Sequence, residues 1–203
     1  MCDTATVGHE FGVGRNKVFP AAKARSLLNP LRRLVQPPRR IVDALDVAAD
    51  ARVLEIGCGP GYFSPTLAAA VPRGEVVLGD LQSEMLVLAR RRLAGFDHAR
   101  AVQLDATGLP FADATFDAVL VVLMLGEVPE RTRCLSECRR VLRPGGVALF
   151  AESRRDSDFI SRADLRTLVE GHGFELDRFH GRSWEYSARF RAVSGATRAT
   201  TSL

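Results

Sequence analysis

The stretch Arg52-Val53-Leu54-Glu55-Ile56-Gly57-Cys58-Gly59-Pro60-Gly61 joins a short apolar run to a turn built on three alternating glycines. The apolar run predicts a buried strand over Arg52 to Ile56, and the residues after the turn, Tyr62 to Val71, predict a helix. Glycine lets the chain reverse sharply and lets a ligand approach the backbone where a Cβ would collide. Many strand-to-helix turns share such a pattern, so its meaning rests on what surrounds it.

Downstream the alternation repeats. Strands are expected at Glu75 to Gly79, Ala101 to Leu104, Phe116 to Leu125 and Val147 to Ala151, with helices at Glu84 to Leu93 and Arg131 to Leu142. The run from Phe116 is almost wholly apolar, as a central strand covered on both faces requires. Pro144-Gly145-Gly146 is expected to halt the helix before it. Ser161 and Asp164 have capping-box spacing ahead of a helix ending near Gly171 or Gly173. Phe174 to Phe179 and Trp184 to Val193 predict a closing antiparallel pair. Alternating strands and helices predict a parallel sheet covered on both faces, with ligands beyond the carboxyl ends of its strands.

Two carboxylates are expected at that end. Asp80 closes the second strand, 19 residues after Gly61, where an acid accepts hydrogen bonds from a ribose diol. Asp105 closes the third strand before Ala106, where an acid accepts from a purine amine while a backbone N–H donates to the ring. Capping of the next turn accounts for either acid alone; both together after this turn favour a ligand. A dinucleotide fingerprint needs glycine at the position of Tyr62, and no GxxxxGK[ST] loop is present.

The 203 residues are 46% hydrophobic and 26% charged, ordinary globular usage that argues against disorder or fibre. No apolar run approaches the ~20 residues of a membrane helix, and the first residues lack a secretory pattern, so a cytoplasmic protein is expected. The net charge of +4 is uneven. Residues 1–40 hold eight basic side chains against two acids, and residues 41–203 carry a net −2. The main domain is therefore no basic nucleic-acid platform. Leu27, Leu28, Leu31, Leu34 and Val35 share one face of an expected helix ended by Pro37-Pro38. That face packs on the domain as a cap or, in a sharper reading, lets residues 21–36 touch an anionic membrane. The chain divides into a basic segment over 1–40, a domain over 41–193 and a loose tail over 194–203. Cys2, Cys58, Cys134 and Cys138 show no metal or disulfide spacing, and Cys134 and Cys138 are expected to be half-buried on a helix. No metal is expected.

Val53 to Ser64, Gly79 to Leu86, Asp105 to Val119 and Cys134 to Glu152 resemble, in order, the signatures of class I S-adenosylmethionine-dependent methyltransferases. The chain is similar to the methyltransferase type 11 group and to quinone-biosynthesis methyltransferases over roughly residues 40–193. The resemblance implies an α/β, Rossmann-like seven-stranded sheet in the order 3-2-1-4-5-7-6, last strand antiparallel, with helices on both faces. It also implies S-adenosylmethionine as cofactor and S-adenosylhomocysteine as product. Gly57, Gly59 and Gly61 then border the methionine part, with Glu55 supporting their loop. Asp80 holds the ribose hydroxyls, Leu81 covers one face of the adenine, and Asp105 with Ala106 reads it.

Many relatives carry a histidine just past the fourth strand, where this chain has Leu125-Gly126-Glu127-Val128-Pro129. The Asn/Asp-Pro-Pro-aromatic segment of amine-directed nucleic-acid methyltransferases is also absent, so no DNA partner is expected. Glu127 is the first candidate for a general base, with His180 and His172 as alternatives; capping for the glutamate and a surface loop for the histidines are the competing readings. Phe11, Phe19, Phe159, Trp184 and Tyr186 are candidate walls of an acceptor pocket. The expected partner is a small hydrophobic or amphipathic methyl acceptor. A silent S-adenosylmethionine-binding regulator and an RNA methyltransferase are the competing functions, and the oligomeric state is unknown.

Overall fold

Strand β1 (Arg52–Ile56) lies between β2 (Glu75–Asp80) and β4 (Phe116–Val122), parallel to both. The computed structural model describes residues 19–29, 32 and 36–193. The seven strands run in the order β3-β2-β1-β4-β5-β7-β6, with β3 at Ala99–Gln103, β5 at Leu142–Ser153, β6 at Phe174–Arg182 and β7 at Glu185–Ala192. The pairs β2–β3 and β4–β5 are parallel, whereas β7 is antiparallel to both β5 and β6. This is the strand order and closing geometry that the resemblance implies.

Period-two alternation builds the two faces. On β4, Val119 and Val121 join one core cluster with Cys134, Leu135 and Cys138 of α4 (Arg131–Val141) and Leu165 and Val169 of α5 (Arg162–Glu170). Ala118, Leu120 and Val122 join the other, with α1 (Pro38–Leu45), α2 (Ser64–Ala70) and α3 (Ser83–Arg92). Helices on both sides explain why β4 reads as continuously apolar. Ser161 opens α5 as expected, its Oγ accepting the Asp164 N–H at 3.2 Å. Arg189 on β7, 4% exposed, donates to the carbonyls of Leu45 and Asp46 and to the Asp177 carboxylate, fastening the end of α1 to the sheet.

Several boundaries differ from expectation. Leu27 and Leu28 close a 3-10 helix over Ala21–Leu28, because Asn29 precedes proline and takes an extended ψ of 123°. Leu31, Leu34 and Val35 lie outside the described residues, as do Phe11 and the tail 194–203. Pro38 opens α1 at a first-turn position instead of ending a helix. α2 starts at Ser64, leaving Tyr62 and Phe63 in the turn. Pro144-Gly145-Gly146 halts no helix: α4 ends at Val141, and those three residues already belong to β5. β4 stops at Val122, since Leu123 takes a left-handed φ of 51° and a 3-10 turn follows at Leu125–Glu127. Cys134 and Cys138 are fully buried, not half-buried.

Candidate active site

The registers Ile56↔Gly79 and Ile56↔Val121 bring the ends of β1, β2 and β4 level. Gly57, Asp80 and the Leu125–Glu127 turn therefore rim one cavity of about 230 Å³. Gly57 and Cys58 donate their N–H groups to the Gly79 carbonyl at 2.9 and 3.0 Å, which folds the glycine turn back over β2. Gly57 has φ of +70°, and a Cβ there would come 2.5 Å from Met124 Cγ, so a side chain is excluded twice. Among the described residues a Cβ on Gly59 would meet nothing nearer than Leu27 Cδ1 at 3.8 Å, and Gly59 lines the cavity. Gly61 does not line the cavity; its bare Cα lets Ala89 of α3 approach to 3.0 Å of where a Cβ would stand.

The carboxylates surround this turn. Glu55 lies beneath it, buried, with Oε2 accepting from Ser64 Oγ at 2.7 Å. Burial pushes its carboxyl up to about 8 despite that bond, and Asp80 adds to the rise. Asp80 accepts the Gly59 N–H at 2.8 Å and the Gln82 N–H at 2.9 Å. Burial raises its pKa, and those backbone donors oppose the rise. Asp105 Oδ1 accepts from both N and Oγ1 of Thr107, at 2.8 and 2.7 Å. Leu81, Asp105 and Ala106 wall the cavity on the β2–β3 side. Cys58 also lines it, but burial pushes its thiol up, so it stays protonated and a poor nucleophile.

Glu127 ends the 3-10 turn after β4, and its Oε2 accepts the Phe19 N–H at 3.1 Å. Burial lifts its carboxyl to about 8, with Asp156, Asp158 and Asp80 pushing the same way and Phe19 opposing. His180 stands elsewhere, on β6, lining a separate small cavity with Gln36, Ile41 and Ser187. His172 follows α5, its Nδ1 2.7 Å from the Leu168 carbonyl. Of the aromatics, Phe19 lines the main cavity. Tyr186 is buried, bonds the Ile160 carbonyl and packs edge-on against Phe159, whereas Trp184 is 49% exposed.

Residues 19–29, together with Arg32, form a strap over the site through Phe19, Leu27 and Arg32. Gln82 holds it at two points, Oε1 accepting the Ala21 N–H at 3.0 Å and Nε2 donating to the Phe19 carbonyl at 2.8 Å. Arg32 lies 4.4 Å over the Tyr62 ring and donates to the Leu27 carbonyl at 3.0 Å. Leu27 is half-buried over the glycine turn, so the described part of the leucine face packs on the domain. Sequence reasoning missed Gln82, Arg32 and Asp156 at this site. Only Gln82 carried a signal, being two residues past Asp80. Gln82→Ala is expected to speed release of bound S-adenosylhomocysteine up to roughly thirtyfold in stopped-flow measurements, since two hydrogen bonds of about 1 kcal/mol each are lost. An unchanged rate would show that the strap does not gate the cavity.

Residues 53–146 match a family model described as a methyltransferase domain. Among curated proteins, the chain is 42% identical over 135 residues to a demethylmenaquinone methyltransferase of Clavibacter sepedonicus, covering 63% of this chain and 54% of that protein. It is 37% identical over 158 residues to the ubiquinone/menaquinone biosynthesis C-methyltransferase UbiE of Hahella chejuensis, covering 72% of this chain and 63% of the relative. The chain thus spans about half to two thirds of the length of these two relatives. A solved SAM-dependent methyltransferase from Aquifex aeolicus superposes with a TM-score of 0.79 at 20% identity, over 87% of this chain and all of that one, which shows a common fold. The chain carries a methyltransferase domain over residues 53–146 and is similar to methyltransferases of quinone biosynthesis.

Proposed function

We propose that this chain transfers a methyl group from S-adenosylmethionine to a small hydrophobic or amphipathic acceptor, with a quinone-like ring as the class that its relatives' names favour. The observation that carries the reading is the strapped cavity: a bare glycine backbone and several carboxyl groups face apolar walls from Ile56, Met85, Leu104 and Met124. That set suits a ligand with cationic groups, a sugar diol and a flat base. Asp80 would hold the ribose hydroxyls with the acceptor capacity left beside its bonds from the N–H groups of Gly59, Leu81 and Gln82. Asp105, Ala106 and Leu81 would frame the adenine, and Gly57 and Gly59 would border the methionine part. Glu55 and Gly61 would support the loop from behind.

Bound there, the cofactor supplies a methyl group that its sulfonium already makes electrophilic. The residues' part is alignment and exclusion of water, which the strap serves by closing Phe19 and Leu27 over the turn. With its carboxyl raised to about 8, Glu127 holds a proton near neutral pH, and a cation within ~4–6 Å would draw it down toward the ionised form. It is then placed to accept a proton from an acceptor that must lose one.

The test is transfer of labelled methyl from S-adenosylmethionine into a host extract, split into organic and aqueous phases, with Asp80→Ala as control. Label in the organic phase supports the hydrophobic acceptor. Label confined to the aqueous phase overturns it in favour of a polar metabolite or RNA, and cofactor binding with no label in either phase overturns the enzyme reading.

A further inference from the structure

The strap is tied to the domain from both rims of the main cavity, and the two ties differ in kind. On the β2 side the Gln82 amide accepts the Ala21 N–H and donates to the Phe19 carbonyl, bonds that no titration alters. On the β4 side the tie is the Glu127 carboxyl, whose Oε2 accepts the Phe19 N–H at 3.1 Å. A hydrogen bond to an ionised carboxylate is roughly twice as strong as one between neutral groups. The grip of Glu127 on the strap therefore follows its charge.

The backbone beneath Glu127 is clamped. Arg131 of α4 donates through Nη2 to the Gly126 carbonyl at 2.7 Å, and a Cβ on Gly126 would collide with the carbonyl oxygen of Asp158 in the loop after β5. The charge around the carboxyl is one-sided. Among the described residues, Asp80, Asp105, Glu127 and Asp156 line the cavity against the single cation Arg32. Burial, Asp156, Asp158 and Asp80 all push Glu127 toward its protonated form, opposed by the Phe19 N–H, while Arg32 acts on Asp156. A cation in this cavity reverses that balance and draws Glu127 to ionise.

Resting on the methyl-transfer reading above, we propose that Glu127 tells the methyl donor from its product by charge, its carboxylate tying the strap down over the sulfonium of S-adenosylmethionine and slackening over the thioether of S-adenosylhomocysteine. The two ligands differ only in the methyl group and the positive charge that goes with it. In transfer the S–CH3 bond breaks, its electron pair stays on sulfur, and the methyl carbon bonds to the acceptor. Where the acceptor then sheds a proton, the Glu127 carboxylate takes it. Loss of the cation and gain of the proton both return Glu127 to the neutral carboxyl, and the strap is left to Gln82. A ligand shifts the strap only through such a difference in affinity for its closed and open states.

The full chain is titrated by calorimetry at pH 7, in two buffers of different ionisation enthalpy, with three ligands. These are S-adenosylmethionine, S-adenosylhomocysteine and sinefungin, whose protonated amine replaces the sulfonium. Both cationic ligands are expected to bind about tenfold more tightly than S-adenosylhomocysteine, the effect of one nearby opposite charge, and to release a proton that it does not. Glu127→Gln keeps an oxygen for the Phe19 N–H and removes the charge, so it should bring the affinities near parity and abolish the proton release. Trypsin reads the strap itself at Lys23 and Arg25, both exposed on it, and S-adenosylmethionine should protect those sites better than S-adenosylhomocysteine does. If the variant does not fold, the proton release and the cleavage of the wild-type chain still decide. Equal proton release by charged and uncharged ligands, equal cleavage under both, or a preference retained by Glu127→Gln overturns the latch while leaving methyl transfer intact. Failure of the wild-type chain to bind any of the three overturns both readings.

Discussion

Asp80→Ala is expected to weaken S-adenosylhomocysteine binding by about 1.5–3 kcal/mol, roughly ten- to a hundred-and-fifty-fold, the worth of a charged hydrogen-bonding group. The side chain stands at the junction of three parts of the site. It accepts from Gly59 in the glycine turn and from Gln82, which holds the strap, and it lines the cavity itself. Its removal strips the proposed diol acceptor and leaves the backbone N–H groups of Gly59, Leu81 and Gln82 without their carboxylate. Asp80→Asn retains one acceptor oxygen and should fall between wild type and alanine. Calorimetry with the purified chain reads the affinity, and thermal melting without ligand reads the structural share separately. Undiminished affinity in the alanine variant would remove Asp80 from the cofactor site.

Stability toward urea is expected to fall as pH rises from about 5 to about 8. Glu55 and Glu152 are 2% and 3% exposed, and burial raises each carboxyl to about 8, against about 4.3 in an unfolded chain. Between those values the unfolded chain has released its protons and the folded chain keeps them. The native state therefore binds more protons, and stability declines with pH by up to about 1.4 kcal/mol per unit for each group. Below the unfolded pKa both states are protonated and the cost is absent; above the folded value both are ionised and the loss levels off. Glu55→Gln keeps an oxygen for Ser64 Oγ to donate to and removes one titration. It should exceed wild type by about 1 kcal/mol near pH 5 and by on the order of 4 kcal/mol near pH 8. Urea midpoints at the two pH values check this, and a pH slope identical to wild type would show that Glu55 ionises normally in the fold.

The element order was legible because each signal is local. Glycines after a β-branched run, acids at strand ends and an unbroken apolar strand each follow from a few neighbouring residues. The same local reading erred where two signals compete. The leucine spacing from Leu27 onward suggests one helix, but proline after Asn29 forbids helical ψ there, and the 3-10 helix stops at Leu28. Pro144-Gly145-Gly146 resembles a helix stop, yet α4 already ends at Val141, and those residues fall in an irregularity of β5 between the pairings of Leu142 with Phe116 and Val147 with Ala118. Pairing of Leu142 with Phe116 on β4 ended the helix before the local stop was reached.

By itself the sequence determined the alternating α/β plan, the glycine turn and the two strand-end acids, since these depend on periodicity and turn chemistry within short windows. The tertiary structure alone decided what closes the cavity and what adjoins it. Phe19 meets Glu127 across 108 residues and Gln82 meets Ala21 across 61. Arg32 and Asp156 come to one wall from opposite ends of the chain. Such contacts have no sequence spacing to announce them, because they form only when the sheet brings the carboxyl ends of its strands level and burial makes each polar group find a partner.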